Sequence, residues 1–172
     1  MSDPRLWIYL VVVILVAVIN IWVAHRSASG NKTWLQLLNR PKLEQHVWIL
    51  AFIKLIVYLL ILISGYLVIM KVQDPADKLL IQNILIVQLG IKLAWIIIFY
   101  YTHNFLASYY LAVMLFILNL GITMFFGRVY PLAGWLYFPY FVWTGYILSL
   151  SHTILITNKH HHDSISIPPF SD

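Results

Sequence analysis

VWILAFIKLIVYLLILISGYLVIM, residues 47–70, decides the fold. It is a run of 24 residues with one charge, Lys54, and one glycine, Gly65. At about 1.5 Å per residue such a helix is about 36 Å long, enough to cross a hydrocarbon core of about 30 Å. Apolar side chains cover every side of it rather than one stripe, the pattern of a helix buried all round. Four further apolar runs lie at 6–24, 79–101, 105–126 and 132–157. A chain of 172 residues has no soluble core large enough to hide five such segments. Backbone groups in lipid must be satisfied within their own segment, so each run is read as a helix. The predicted fold is all-α, an integral membrane bundle of five transmembrane helices.

The totals agree. The chain is 62% hydrophobic and 10% charged, far from the roughly half-apolar, quarter-charged balance of soluble domains. One membrane domain, 1–158, is predicted, followed by a polar, disordered tail at 159–172. The net charge of +5 comes from lysines and arginines scattered singly through connectors. That placement suits membrane-edge anchors and argues against nucleic acid. The absence of cysteine excludes disulfides, thiol nucleophiles and thiolate metal sites. The first run exceeds the roughly 7–15 residues of a signal-peptide core and is read as a retained helix. Arg5, Lys71, Lys78 and Arg128 on one face balance Arg26, Lys32, Arg40, Lys42 and Lys159 on the other, so loop charge does not orient the chain. His160, His161 and His162 are read as a solvated end, and no metal or cofactor is assigned.

Polar residues inside the runs carry the information, because burying them in lipid is costly. Lys54 lies about 10 Å, and Lys92 about 13 Å, from the face that holds the first loop. Asn20, Ser151 and His152 lie toward the same face. Gln88, Lys92, Trp95 and Phe99 share one helical stripe, as do Ala51, Lys54, Tyr58 and Gly65, and Pro139, Trp143, Tyr146 and Leu150. Three mixed aromatic and polar faces thus meet at one end, as a pocket for a lipophilic ligand requires. The plainer reading is packing for the aromatics and snorkelling for lysines near helix ends. For Lys54 both readings stand. For Lys92 an insertion cost of about 2.5–3.5 kcal/mol favours an interior position. All six acids, Asp3, Glu44, Asp74, Asp77, Asp163 and Asp172, lie outside the runs, so neither lysine has a carboxylate partner within the membrane.

Several motifs resemble one family. Residues 34–41 read WLQLLNRP, similar to the first-loop W-Y-x-x-L-x-K-P of the translocator protein family, also called tryptophan-rich sensory proteins or TspO. Trp48, Tyr58 and Gly65-Tyr66-Leu67-Val68 resemble its second helix. Gln88-Leu89 and Trp95 resemble its third, with Phe99-Tyr100 in place of paired phenylalanines. Pro131-Leu132-Ala133 and Pro139-Tyr140-Phe141-Val142-Trp143 resemble its fifth. The resemblance covers about residues 30–158. It implies a five-helix bundle that binds cholesterol, or porphyrins such as protoporphyrin IX and haem, in a pocket beneath the first loop. Trp34, Trp48, Trp95, Trp143 and Tyr146 would belong to or border that pocket. With the stripes above, the candidate site is Trp34, Trp48, Ala51, Lys54, Tyr58, Gln88, Lys92, Trp95, Phe99, Trp143, Tyr146 and Leu150.

The chain departs from the family pattern at informative places. Lys54 replaces a tryptophan, Lys92 and Ser151 replace asparagines, Leu43 replaces a tryptophan, and Gln45-His46 replace paired prolines. No tyrosine stands between Tyr146 and Lys159, so the sterol-recognition pattern of vertebrate members is absent. The leading expectation is binding and translocation of a lipophilic ligand, with porphyrin carboxylates meeting Lys54 and Lys92. Porphyrin breakdown, known for bacterial members, is not expected, because the tryptophan tied to it is Lys54 here; no enzyme activity is assigned. A regulator or scaffold is the other alternative, with Gly90 and Ala94 as a small-residue pair for a homodimer. The resemblance implies the mitochondrial outer membrane or another internal membrane in a eukaryote, and the cell envelope in a bacterium.

Overall fold

The computed structural model describes residues 4–30, 47–102 and 104–157, with side chains described over 7–20, 22–23, 52–102 and 104–157. Trp34, the rest of the first loop, and the tail 159–172 with its three histidines lie outside the described residues, as do the side chains of Trp48 and Ala51. The described residues form five long helices, α1 (Pro4–Gly30), α2 (Val47–Lys71), α3 (Pro75–Ile97), α4 (Phe105–Val129) and α5 (Pro131–Thr157). A π-helical turn, Ile98–Thr102, extends α3. No strand occurs among the described residues.

Capping places two of the helix starts. α3 begins at Pro75, ahead of its apolar run at 79, because Asp74 accepts a 3.1 Å hydrogen bond from the Ala76 N–H and Pro75 occupies the first turn. A proline there forfeits no intrahelical bond, since the first N–H groups have no partner anyway. At α4 the Asn104 side chain accepts from the Ala107 N–H at 3.0 Å. Only Tyr130 separates α4 from α5. That turn is tight because Gly134 sits directly on the backbone of Gly127: a Cβ on Gly134 would stand 2.6 Å from the Gly127 Cα.

The helices close a ring in the order α1, α3, α4, α5, α2. α4 and α5 form its most extensive contact, whereas α2 and α3 touch only slightly. Hydrogen bonds stitch the ring from helix to helix. Tyr9 of α1 donates to the Ile61 carbonyl of α2 at 2.9 Å, and Ser64 of α2 to the Ala133 carbonyl of α5 at 2.7 Å. Tyr137 of α5 donates to Asn119 Oδ1 of α4 at 2.6 Å. The bundle is apolar outside and carries its polar groups within. Phe52 and Ile117 are 63% exposed, while Ser64, Gln88, Asn119, Thr144 and Ser151 are buried. A soluble fold would reverse that arrangement.

Among the described residues three helical stretches qualify as membrane spans by length and hydropathy: Phe52–Lys71, Pro75–Thr102 and Phe105–Val129. The sequence reading predicts five. In α1 the apolar stretch among the described residues, Trp7–Asn20, is shorter. α5 is diluted by Tyr137, Tyr140, Thr144, Tyr146, Ser149, Ser151 and His152, most of which turn inward.

Among the described residues one buried amide is left with neither of its atoms matched. Gln82 of α3 is 2% exposed, and neither atom of its amide has a hydrogen-bond partner among the described residues. An unpaired amide in an apolar interior costs about 1–3 kcal/mol by mutational measure. Gln82→Leu, which keeps the volume and removes both unmatched atoms, should raise the thermal midpoint of the detergent-purified protein. A fall in midpoint would show that this amide is matched in solution.

Candidate ligand-binding cleft

A cleft is formed among α1, α2, α3 and α5. Asn20 of α1, Lys54 of α2, Lys92 and Trp95 of α3, Tyr100 of the π turn, and Trp143, Tyr146, Ile147 and Leu150 of α5 line it. The enclosed part of the cleft is about 30 Å³, room for one or two water molecules, and the rest of its space is open at the mouth. It lies at the end of the bundle whose core is built from Val23, Trp95, Ile96, Phe99, Ile147 and Leu150.

The α3 stripe faces inward along its whole length: Gln88, Lys92, Trp95 and Phe99 are all buried. Lys92 is 2% exposed, and its Nζ sits 4.3 Å from the centre of the Trp95 ring. At that distance the electron-rich ring face partly compensates a cation removed from water. The indole is itself held in place. Its Nε1–H donates to Ser151 Oγ of α5 at 3.3 Å, and Phe99 stacks on it at 5.1 Å. Lys54, half-buried on α2, is an electrostatic neighbour of Lys92. The two lysines placed at one depth by residue counting therefore share one space. Trp143 and Tyr146 form the opposite wall, their rings 5.2 Å apart.

Of the twelve candidate site residues, Lys54, Lys92, Trp95, Trp143, Tyr146 and Leu150 line the cleft together. Phe99 backs the wall from behind Trp95. Tyr58 lies outside the lining, buried, where its hydroxyl accepts a 3.1 Å hydrogen bond from Asn20 Nδ2. Gln88 is also off the lining and donates to the Tyr140 hydroxyl. Trp34, Trp48 and Ala51 fall outside the described side chains. Pro139, at the head of the α5 stripe, turns outward. His152 is exposed beside Tyr109, with ring centres 5.6 Å apart, and takes no part in the lining.

Asn20, Tyr100 and Ile147 are the additions. Asn20 had a signal, being the one amide within the first apolar run. Ile147 had none, as an aliphatic residue among many. Tyr100 depends on the π turn. In a regular α-helix residues four apart share a side; the wider π turn brings residues five apart together as well. Tyr100 therefore meets Trp95 edge-on at 6.5 Å while Phe99 keeps its stacking contact.

No curated protein and no solved structure matches the chain. A family model does, over residues 8–156, a span that contains all five apolar runs but for their outermost residues. An apolar-faced helical bundle, an interior cleft of lysines and rings, and a family match over most of the chain converge on one conclusion: the protein is an integral membrane protein and belongs to the TspO/MBR family.

Proposed function

We propose that all five helices cross the bilayer and that the protein binds a lipophilic ligand in the cleft and passes it through the membrane. Sterols and porphyrins such as protoporphyrin IX or haem are the first ligands to test. The observation that carries this reading is the cleft itself, where aromatic rings from two helices and two lysines from different helices surround one space inside an apolar-faced bundle. The flat rings suit a rigid polycyclic body, and the amines suit a polar end. Trp34 and the first loop are proposed to cover the mouth. The arrangement favours binding over catalysis, because the membrane interior holds no carboxylate and His152 stands away from the lining.

Titration of the detergent-purified protein with protoporphyrin IX, haem and cholesterol tests this, since Trp95 and Trp143 report occupancy by fluorescence quenching. Saturable quenching by at least one of them is expected; none by any overturns the reading. Lys92→Ala should weaken protoporphyrin binding about tenfold or more, as expected for removal of one partner of a buried charge pair. Unchanged affinity would end the charge-pairing component.

A dimeric regulator is the second reading. Gly90 is exposed, with open space where a Cβ would stand, and Ala94 is half-buried beside it. A face of small residues lets a second helix approach closely. Gly90→Cys should cross-link two copies in membranes under mild oxidation, and a monomer under those conditions would exclude this face.

A further inference from the structure

Among the described residues Lys92 is the only lysine that is buried, and it lines the cleft. A lysine amine taken out of water into apolar surroundings is the kind that attacks carbonyl carbon, because an unprotonated nitrogen has its lone pair free. The surroundings of Lys92 are of that kind. Its Nζ lies 4.3 Å from the centre of the Trp95 ring, and Trp143, Ile147 and Leu150 line the same space. No carboxylate occurs among the described lining residues to pair with an ammonium there. Size narrows the partner. The enclosed part of the cleft, about 30 Å³, has room for one or two water molecules. The head of a terminal aldehyde, a carbonyl that carries only hydrogen and one chain, is of that size; a ketone flanked by two chains is not. The chain behind the head leaves by the open mouth, along the apolar side chains of α5.

We infer that Lys92 forms a reversible imine with a long-chain aliphatic aldehyde, so that the cleft carries this class of lipophile by a covalent bond. The inference rests on the ligand-binding reading above and adds a ligand class and the atom that holds it. The nitrogen lone pair forms a C–N bond to the carbonyl carbon while the C=O π pair moves to oxygen. A proton passes from nitrogen to that oxygen through a water, for which the enclosed space has room. The C–O bond then breaks, the second N–H proton leaves with the hydroxyl as water, and the C=N bond forms. One amine and one aldehyde thus give one imine and one water, with no oxidant or reductant. When the imine takes up a proton, the face of Trp95 lies beside the cation. That ring is already fixed by its hydrogen bond to Ser151 and by the stacking of Phe99. Neither carboxylate nor imidazole stands among the described lining residues to draw a proton from the carbon next to the imine. The step therefore ends at the imine and reverses with water, which is carriage rather than turnover. With its proton the same amine faces a ligand carboxylate; without it, an aldehyde carbon.

Reductive trapping provides the test. Full-length protein in nanodiscs of phosphatidylcholine, a lipid without a primary amine, is incubated with an equimolar amount of hexadecanal and with sodium cyanoborohydride, which converts an imine to a stable secondary amine. The intact mass should rise by a single hexadecyl group, and peptide mapping should place it on Lys92 ahead of Lys71 and Lys78, which are exposed. Excess hexadecanol, with the same chain and no carbonyl, should suppress labelling of Lys92 but not of Lys71 or Lys78. Lys92→Arg should lose the preferred adduct; the mapping itself uses the unaltered protein and does not depend on how that variant folds. Labelling of Lys54, Lys71 or Lys78 in place of Lys92 overturns the imine, as does labelling of Lys92 that hexadecanol leaves unchanged. If the imine fails while hexadecanol or protoporphyrin IX still quenches tryptophan fluorescence saturably, lipophile binding stands without the bond. If no alcohol, porphyrin or sterol quenches, the parent reading falls as well.

Discussion

Gly134→Ala is expected to destabilise the protein by about 3 kcal/mol or more, the upper end of overpacking effects. The added methyl would lie 2.6 Å from the Gly127 Cα and 2.8 Å from its nitrogen. Both are backbone atoms, so no side chain can swing aside, and α4 and α5 must separate along the most extensive contact in the bundle. The reciprocal change should be nearly silent, because a Cβ on Gly127 meets nothing within 4 Å. Gly121→Ala, also in open space on α4, should be neutral or slightly stabilising, since alanine is the better helix former by about 1 kcal/mol. Thermal midpoints of the three variants in one detergent check this. Equal behaviour of Gly134→Ala and Gly127→Ala would contradict the packing described for the α4–α5 hairpin.

The second large effect is expected at Asn119, which is fully buried on α4. Its Nδ2 donates to the Leu115 carbonyl at 2.8 Å, and its Oδ1 accepts from the Tyr137 hydroxyl at 2.6 Å. Asn119→Leu leaves that hydroxyl unmatched in a site that water does not reach, at a cost of about 1–3 kcal/mol. Tyr137→Phe removes the hydroxyl and should be milder, because the ring keeps its edge-on contacts with Phe126 and Tyr140 at 5.1 and 5.5 Å. Asn119→Leu with Tyr137→Phe should recover part of the loss of Asn119→Leu alone. A double-mutant cycle on unfolding free energy measures this directly. Additive losses would mean that the two side chains act independently.

Both effects show where sequence reading reaches its limit. Gly127 and Gly134 look alike in the chain, each a glycine beside one aromatic residue near the end of an apolar run. Only the way α5 turns back at Tyr130 makes one indispensable and the other free. Asn119 is the sole amide in its run and so is visible as a buried polar group. Its partner on another helix is not, because several tyrosines stand at comparable depth. At the cleft the same division holds. Lys54 and Lys92 were legible because charge inside an apolar run is rare and depth follows from counting residues. Tyr100 was not, because a single π turn changed which side of the helix it faces.

The amino-acid sequence alone determined that the chain is helical, that it carries apolar runs of membrane length, and that its intramembrane amines stand at one level. These are local properties, set by hydropathy and by a rise per residue that neighbours do not alter. Tertiary structure decided the ring order, the close approach of Gly134 to Gly127, and the union of residues from α1, α2, α3 and α5 in one cleft. The physical reason is that lipid tails are as apolar as leucine. With no hydrophobic difference between the outward and inward sides of a helix, the choice of neighbour falls to close packing and to interhelical hydrogen bonds, and these exist only once the helices have met.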